Sequence, residues 1–167
     1  MIESVSVSRL HRAVRLTARA SALLFAGSQA APAGGLPTAR AARSLYLGFA
    51  AAHAAHFVLI ARYAKVAGGR NLFPGGRGLR DVGGWPTIWA IYLLFAALVV
   101  LAWPTVAASG APERSRLPAA RAASALIGAL FAGTYLGQAT RSPRYALPAA
   151  VVALAVIANQ VLLGGKR

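Results

Sequence analysis

Cysteine is absent from this sequence, which excludes disulfides, thiol nucleophiles and cysteine-bound metals. Acid is nearly absent as well. Glu3, Asp81 and Glu113 are the only three carboxylates in 167 residues, and none falls in a long apolar run. There is thus no carboxylate pair for acid–base chemistry and no intramembrane acid to carry protons or cations. No serine has a histidine and an acid in the pattern of a hydrolytic triad. The glycine-rich stretch Gly75–Asp81 lacks the Gly-Lys-Ser/Thr of a phosphate loop, and Asp81 stands where a dinucleotide fingerprint needs its third glycine. It reads as an interfacial loop. No catalytic residue is assigned, and no stand-alone enzymatic activity is expected.

Charge of either sign makes up only 13% of the chain, against about 25% in soluble domains. What fills the space is apolar: 57% of residues are hydrophobic, and the mean hydropathy is +0.57. Apolar runs of about 18–22 residues lie between short basic stretches, the length a helix needs to cross roughly 30 Å of hydrocarbon. A soluble helical bundle would break each run with a polar residue every third or fourth position. The runs Ile88–Ala102 and Ala146–Ala158 carry no such break. The expected fold is all-α: one integral membrane bundle of about five transmembrane helices, at 15–31, 44–63, 85–103, 119–138 and 145–163.

The spans differ in definition. Trp85 and Trp89 at one end of the third, and Trp103 at the other, form an aromatic belt about 21–27 Å apart at roughly 1.5 Å per residue. The first span is the weakest. Arg19 would have to snorkel to the headgroups, and Ser28 and Gln29 interrupt the run. A cleaved signal peptide with its apolar core at Ala22–Gly27, or an interfacial helix, would leave four spans; a retained helix is the expectation.

The net charge of +15 raises nucleic acid as a partner, but the basic residues flank apolar spans, where a lipid bilayer wants them. No nucleic acid is expected. Arginine far outnumbers lysine, and alanine and glycine abound, a bias that suggests a GC-rich bacterial genome and hence the bacterial cytoplasmic (inner) membrane. With five spans, one side of the membrane receives eleven basic residues, among them Arg9, Arg12, Arg15, Arg19, Arg62, Lys65, Arg141 and Arg144, against seven on the other. The positive-inside rule then places the N-terminus in the cytoplasm.

One feature within the spans bears on chemistry. His53 and His56 lie near the middle of the second span, three residues apart and so on one helix face, with Tyr46, Phe49, Ile60 and Tyr63 on or near the same stripe. Ionisable residues at this depth usually face protein or a cavity. Three readings are open. The pair hydrogen-bonds to backbone or hydroxyl groups of neighbouring helices; or it ligates haem iron; or it contacts another metal or a quinone. Both histidines cannot be axial ligands of one haem, because those come from opposite faces. His11 falls at the cytoplasmic boundary and reads as a solvated interfacial residue. In the fourth span, Ser124, Gly128 and Ala132 form one ridge of small residues, and Ala129, Gly133 and Gly137 form another. Such ridges let helix backbones approach closely, and both are expected to pack within the bundle.

The stretch Arg43-Ser44-Leu45-Tyr46-Leu47-Gly48-Phe49-Ala50-Ala51-Ala52-His53-Ala54-Ala55-His56 resembles the histidine-bearing helix of small bacterial proteins in the ferric-reductase-like transmembrane superfamily. The Gly83-Gly84 turn, the aromatic-flanked span after it, Thr134-Tyr135-Leu136-Gly137 and Arg141-Ser142-Pro143 fit the same pattern, over roughly residues 15–163. The resemblance implies haem b in the bundle, with His53 and His56 as candidate ligands, and electron transfer across the membrane. The sequence departs from the pattern in the helix expected to supply the opposing histidines: Ala119–Gln138 has none. A complete bis-histidine site would therefore need a homo-oligomer or a redox partner protein, and the family's flavin and nicotinamide domains are not in this sequence. The alternative is a non-catalytic membrane subunit, or a degenerate relative with a structural or assembly role.

Overall fold

A computed structural model of the chain describes residues 2–31, 39–67, 80, 83–107, 118–140 and 142–164. The loops expected around Pro32–Pro37 and Ser109–Pro118, most of the glycine-rich segment before Trp85, Arg141 and the basic tail fall outside the described residues. All regular structure among the described residues is helical. The elements are α1 (Ile2–Ala30), α2 (Ala39–Val66), α3 (Gly84–Ala102), the single turn α4 (Pro104–Ala107), α5 (Pro118–Ala139) and, after a 3₁₀ turn at Pro143–Tyr145, α6 (Ala146–Gly164). This is the all-α membrane bundle that the apolar runs predict.

Four segments are long and apolar enough to cross a membrane: Arg40–Val66, Gly84–Val106, Pro118–Ala139 and Pro143–Val161. The expected first span, 15–31, is not among them. It belongs to a helix of 29 residues that starts at Ile2. Arg9, Arg12, Arg15 and Arg19, together with Thr17, Ser21, Ser28 and Gln29, make α1 too polar for lipid on every side. It nevertheless lies inside the bundle, with Ser21, Ala22, Phe25, Ala26, Ser28 and Gln29 all buried.

The solvent preference of a water-soluble core is reversed. Large apolar side chains point outward, with Val100 73% exposed, Leu147 72% and Leu93 70%, while Ser21, Ser28, Gln29, Ser124 and Asn159 are buried. So extensive an apolar coat fits hydrocarbon rather than water. Polar groups inside then bind helix to helix where no hydrophobic drive between helices exists.

α1 and α2 run antiparallel, as the pairings of Thr17 with His56, Ser21 with His53 and Gly27 with Leu45 require. α5 and α6 are also antiparallel, from Arg121 beside Gln160 to Tyr135 stacked on Tyr145. α1 packs closely against α2 and α6, and α3 against α5. Across the remaining gap the backbones of α2 and α3 stay apart, and aromatic rings fill the space: Phe49 meets Phe95, Phe57 stacks on Tyr92, and the Tyr46 hydroxyl donates to the Val99 carbonyl at 2.7 Å. α3 is entered through Gly83 and Gly84, whose φ values of 86° and 73° favour glycine. At Gly83 a Cβ would also collide with the Thr87 hydroxyl.

Candidate functional site

The histidine pair and its surroundings form the candidate site. His53 is buried at the junction of α1, α2, α3 and α5. Its ring stacks on Phe95 with centroids 3.9 Å apart and meets Phe57 edge-on at 4.3 Å; Phe49 and Phe131 close the remaining sides at 5.8 and 5.6 Å. Its Nδ1 is 2.8 Å from the Ser21 hydroxyl of α1, in hydrogen-bond contact. One turn on, His56 is half-buried, with its Nδ1 3.2 Å from the Thr17 hydroxyl and its ring centroid 5.8 Å from that of His53. The stripe expected on α2 is the buried one: Tyr46, Phe49, His53 and Tyr63 face inward and Ile60 is half-buried.

The Thr17 hydroxyl also contacts the Ala13 and Val14 carbonyls of its own helix at 2.9 and 3.1 Å, so it links α1 to the His56 ring.

Haem can be tested against this geometry. At His53 one imidazole face is covered by Phe95, and Phe57, Phe49 and Phe131 pack around the ring. At His56 the ring is less enclosed and its Nδ1 is engaged by the Thr17 hydroxyl, an arrangement that metal-bound histidines commonly share. Among the described residues no group of three or more metal-ligating side chains comes together. His53 and His56 therefore fit half a haem site at most.

A second polar cluster lies nearer the other end of the bundle, and the sequence reading passed over it. Gln29 Oε1 accepts from Ser124 Oγ of α5 at 2.8 Å and from Asn159 Nδ2 of α6 at 2.6 Å, while Gln29 Nε2 donates to Ser28 Oγ at 3.4 Å. All four residues are fully enclosed, and Asn159 Oδ1 has no partner. Arg121 beside it donates to the Gln160 side-chain and backbone oxygens. The available signal was the polar stripe Thr17, Ser21 and Ser28 along α1, which reads as an interruption of a span but is an interior face. Ser124 was noted only for its size.

Of the two small-residue ridges, one packs. Gly128 is buried against Val156 of α6, where a Cβ would come within 2.5 Å of a methyl. Gly133 and Gly137 face outward with nothing within 4 Å, contrary to the expectation that both ridges pack within the bundle. His11 is not simply solvated: its ring stacks on Tyr63 at 5.5 Å.

Comparison of the chain with family models, with curated proteins and with solved structures gave no match. The functional reading thus stands on the residues and their geometry.

Proposed function

We propose that this chain is a non-catalytic subunit of a multi-pass assembly in a bacterial cytoplasmic membrane, with its N-terminus on the cytoplasmic side. His53 and His56 then serve as interhelical joints that hold the polar helix α1 against α2. The observation that carries this reading is the occupation of both Nδ1 atoms by hydroxyls of α1, with the His53 ring enclosed by phenylalanines. Both Nδ1 atoms are used within the fold, and phenylalanine rings pack around His53.

A second reading rests on His56 alone. With its Nδ1 engaged by Thr17, Nε2 is the nitrogen left to ligate iron, so a member of the ferric-reductase-like superfamily could hold haem b between His56 and a histidine of a second copy or of a redox partner. Haem would supply the one-electron chemistry; this chain would supply one ligand, the Thr17 hydrogen bond that orients it, and an apolar wall. The absorption spectrum of protein purified from haem-supplemented cells separates the two. The subunit reading expects no Soret band. A Soret band lost in His56→Ala but kept in His53→Ala would overturn it in favour of haem.

A further inference from the structure

Arg19 carries a charge on the outward face of α1, midway along the helix, and the fold gives that charge a destination. Its guanidinium reaches the ring of Tyr145, 5.9 Å from the centroid, at the first turn of the α5–α6 hairpin's second arm. Arg144 approaches the same ring at 5.1 Å. Tyr135 stacks behind the ring at 6.4 Å, and two cations thus converge on one tyrosine. Among the described side chains none brings a carboxylate to them. Each guanidinium has five N–H donors, and the phenol can accept few of them. This arrangement suits an added anion, and guanidinium pairs suit the oxygens of a phosphate.

The surroundings decide which phosphate. Leu16 and Leu23 stand three residues before and four after Arg19, on the same face of α1, and are 57% and 62% exposed. Leu147, two residues beyond Tyr145, is also exposed. Charged donors bordered by outward leucines match an amphiphile with a phosphate and acyl chains, and not a free ion. We propose that Arg19, Arg144 and Tyr145 bind the phosphate of an anionic phospholipid whose acyl chains lie along Leu23 and Leu147. The site needs only that the chain sits in a bilayer and is independent of either reading of the histidines. It also accounts for a cation within α1, since a headgroup phosphate would pair with it.

The test uses the full chain in neutral detergent micelles doped with spin-labelled phosphatidylglycerol or spin-labelled phosphatidylcholine, reading the immobilised lipid fraction. The expected result is a preference for phosphatidylglycerol that drops about fivefold for each guanidinium removed, in Arg19→Gln and in Arg144→Gln. Arg62→Gln, a basic residue on the same side of the membrane, should keep the preference. Should Arg19→Gln fail to fold, Arg144→Gln and Arg144→Lys carry the test, with lysine restoring part of the preference as a point charge. Equal retention of the two lipids by the unaltered chain would overturn the proposal, as would a preference unchanged in Arg144→Gln. Competition by millimolar inorganic phosphate that abolishes the preference would also overturn it, since the site would then be one for a free ion.

Discussion

The two polar clusters inside the bundle are built differently. The histidine pair joins two helices, α1 and α2, through two separate hydrogen bonds, and each imidazole is also held by rings packed around it. The amide cluster joins three helices through one atom, Gln29 Oε1, which accepts from both α5 and α6. The first spreads its contribution over hydrogen bonds and ring packing. The second concentrates it in a single buried acceptor. Chemically conspicuous residues are therefore not where the bundle is most dependent on hydrogen bonding. That place is an amide, and it ties the first helix to the last.

This contrast breaks most readily at Gln29. Gln29→Leu leaves the Ser124 hydroxyl and the Asn159 amide without their acceptor, at about 1–3 kcal/mol for each orphaned donor. The expected loss is about 2–4 kcal/mol, read by thermal or dodecyl-sulfate unfolding in mixed micelles. A loss smaller than that of Ser21→Ala would reverse the ranking of the clusters.

Next in size is a pair of glycines on α5. Gly128→Leu must push Val156 and α6 away and should cost about 1–3 kcal/mol. Gly133→Leu meets open space and should stay within about 0.5 kcal/mol in dilute micelles. Equal effects would mean that the α5–α6 joint does not depend on close approach, and that the amide cluster holds α6 by itself.

Ser21→Ala removes one bond of the histidine pair while Phe95 and Phe57 still hold the ring. The expected cost is that of one interhelical hydrogen bond in a membrane, about 0.6–1.7 kcal/mol. A cost above that of Gln29→Leu would show the pair to be the stronger joint.

The smallest effect concerns His11, on the part of α1 before the polar stripe. Burial, and then the nearby Arg15 guanidinium, push its pKa below the ordinary 6.5. The folded state therefore binds fewer protons than the unfolded one as pH falls through 6.5. The stability tied to neutral His11 is present above that pH and is lost below it. His11→Gln should flatten the acid limb of a stability–pH curve between pH 7 and 5, and an unchanged limb would assign it to other groups.

Much of the fold is legible in the sequence, because a bilayer rewards one simple property. An apolar run of the right length between basic ends makes a helix at Gly84–Ala102 or Pro118–Ala139 whatever the rest of the chain does. His53 and His56 are legible for the same reason, as ionisable groups in an apolar run. Gln29 and Asn159 are not, since a single amide near the end of a run reads as the edge of the membrane. The two glycine ridges of α5 look alike in sequence, and only the rotation of the helix distinguishes the packed Gly128 from the outward Gly133 and Gly137.

By itself, then, the sequence determined that the chain is helical, that its apolar runs are of membrane-crossing length, and that its basic residues gather at their ends, though it offered five spans where four helices are long and apolar enough. Hydropathy and length are local properties, and the solvent reads them segment by segment. Tertiary structure alone decided that the polar helix α1 has a place in the bundle. Its partners lie far along the chain, with Ser21 32 residues from His53 and Gln29 130 residues from Asn159. Such hydrogen bonds exist only once helix order, depth and rotation are set together, and no single segment encodes those.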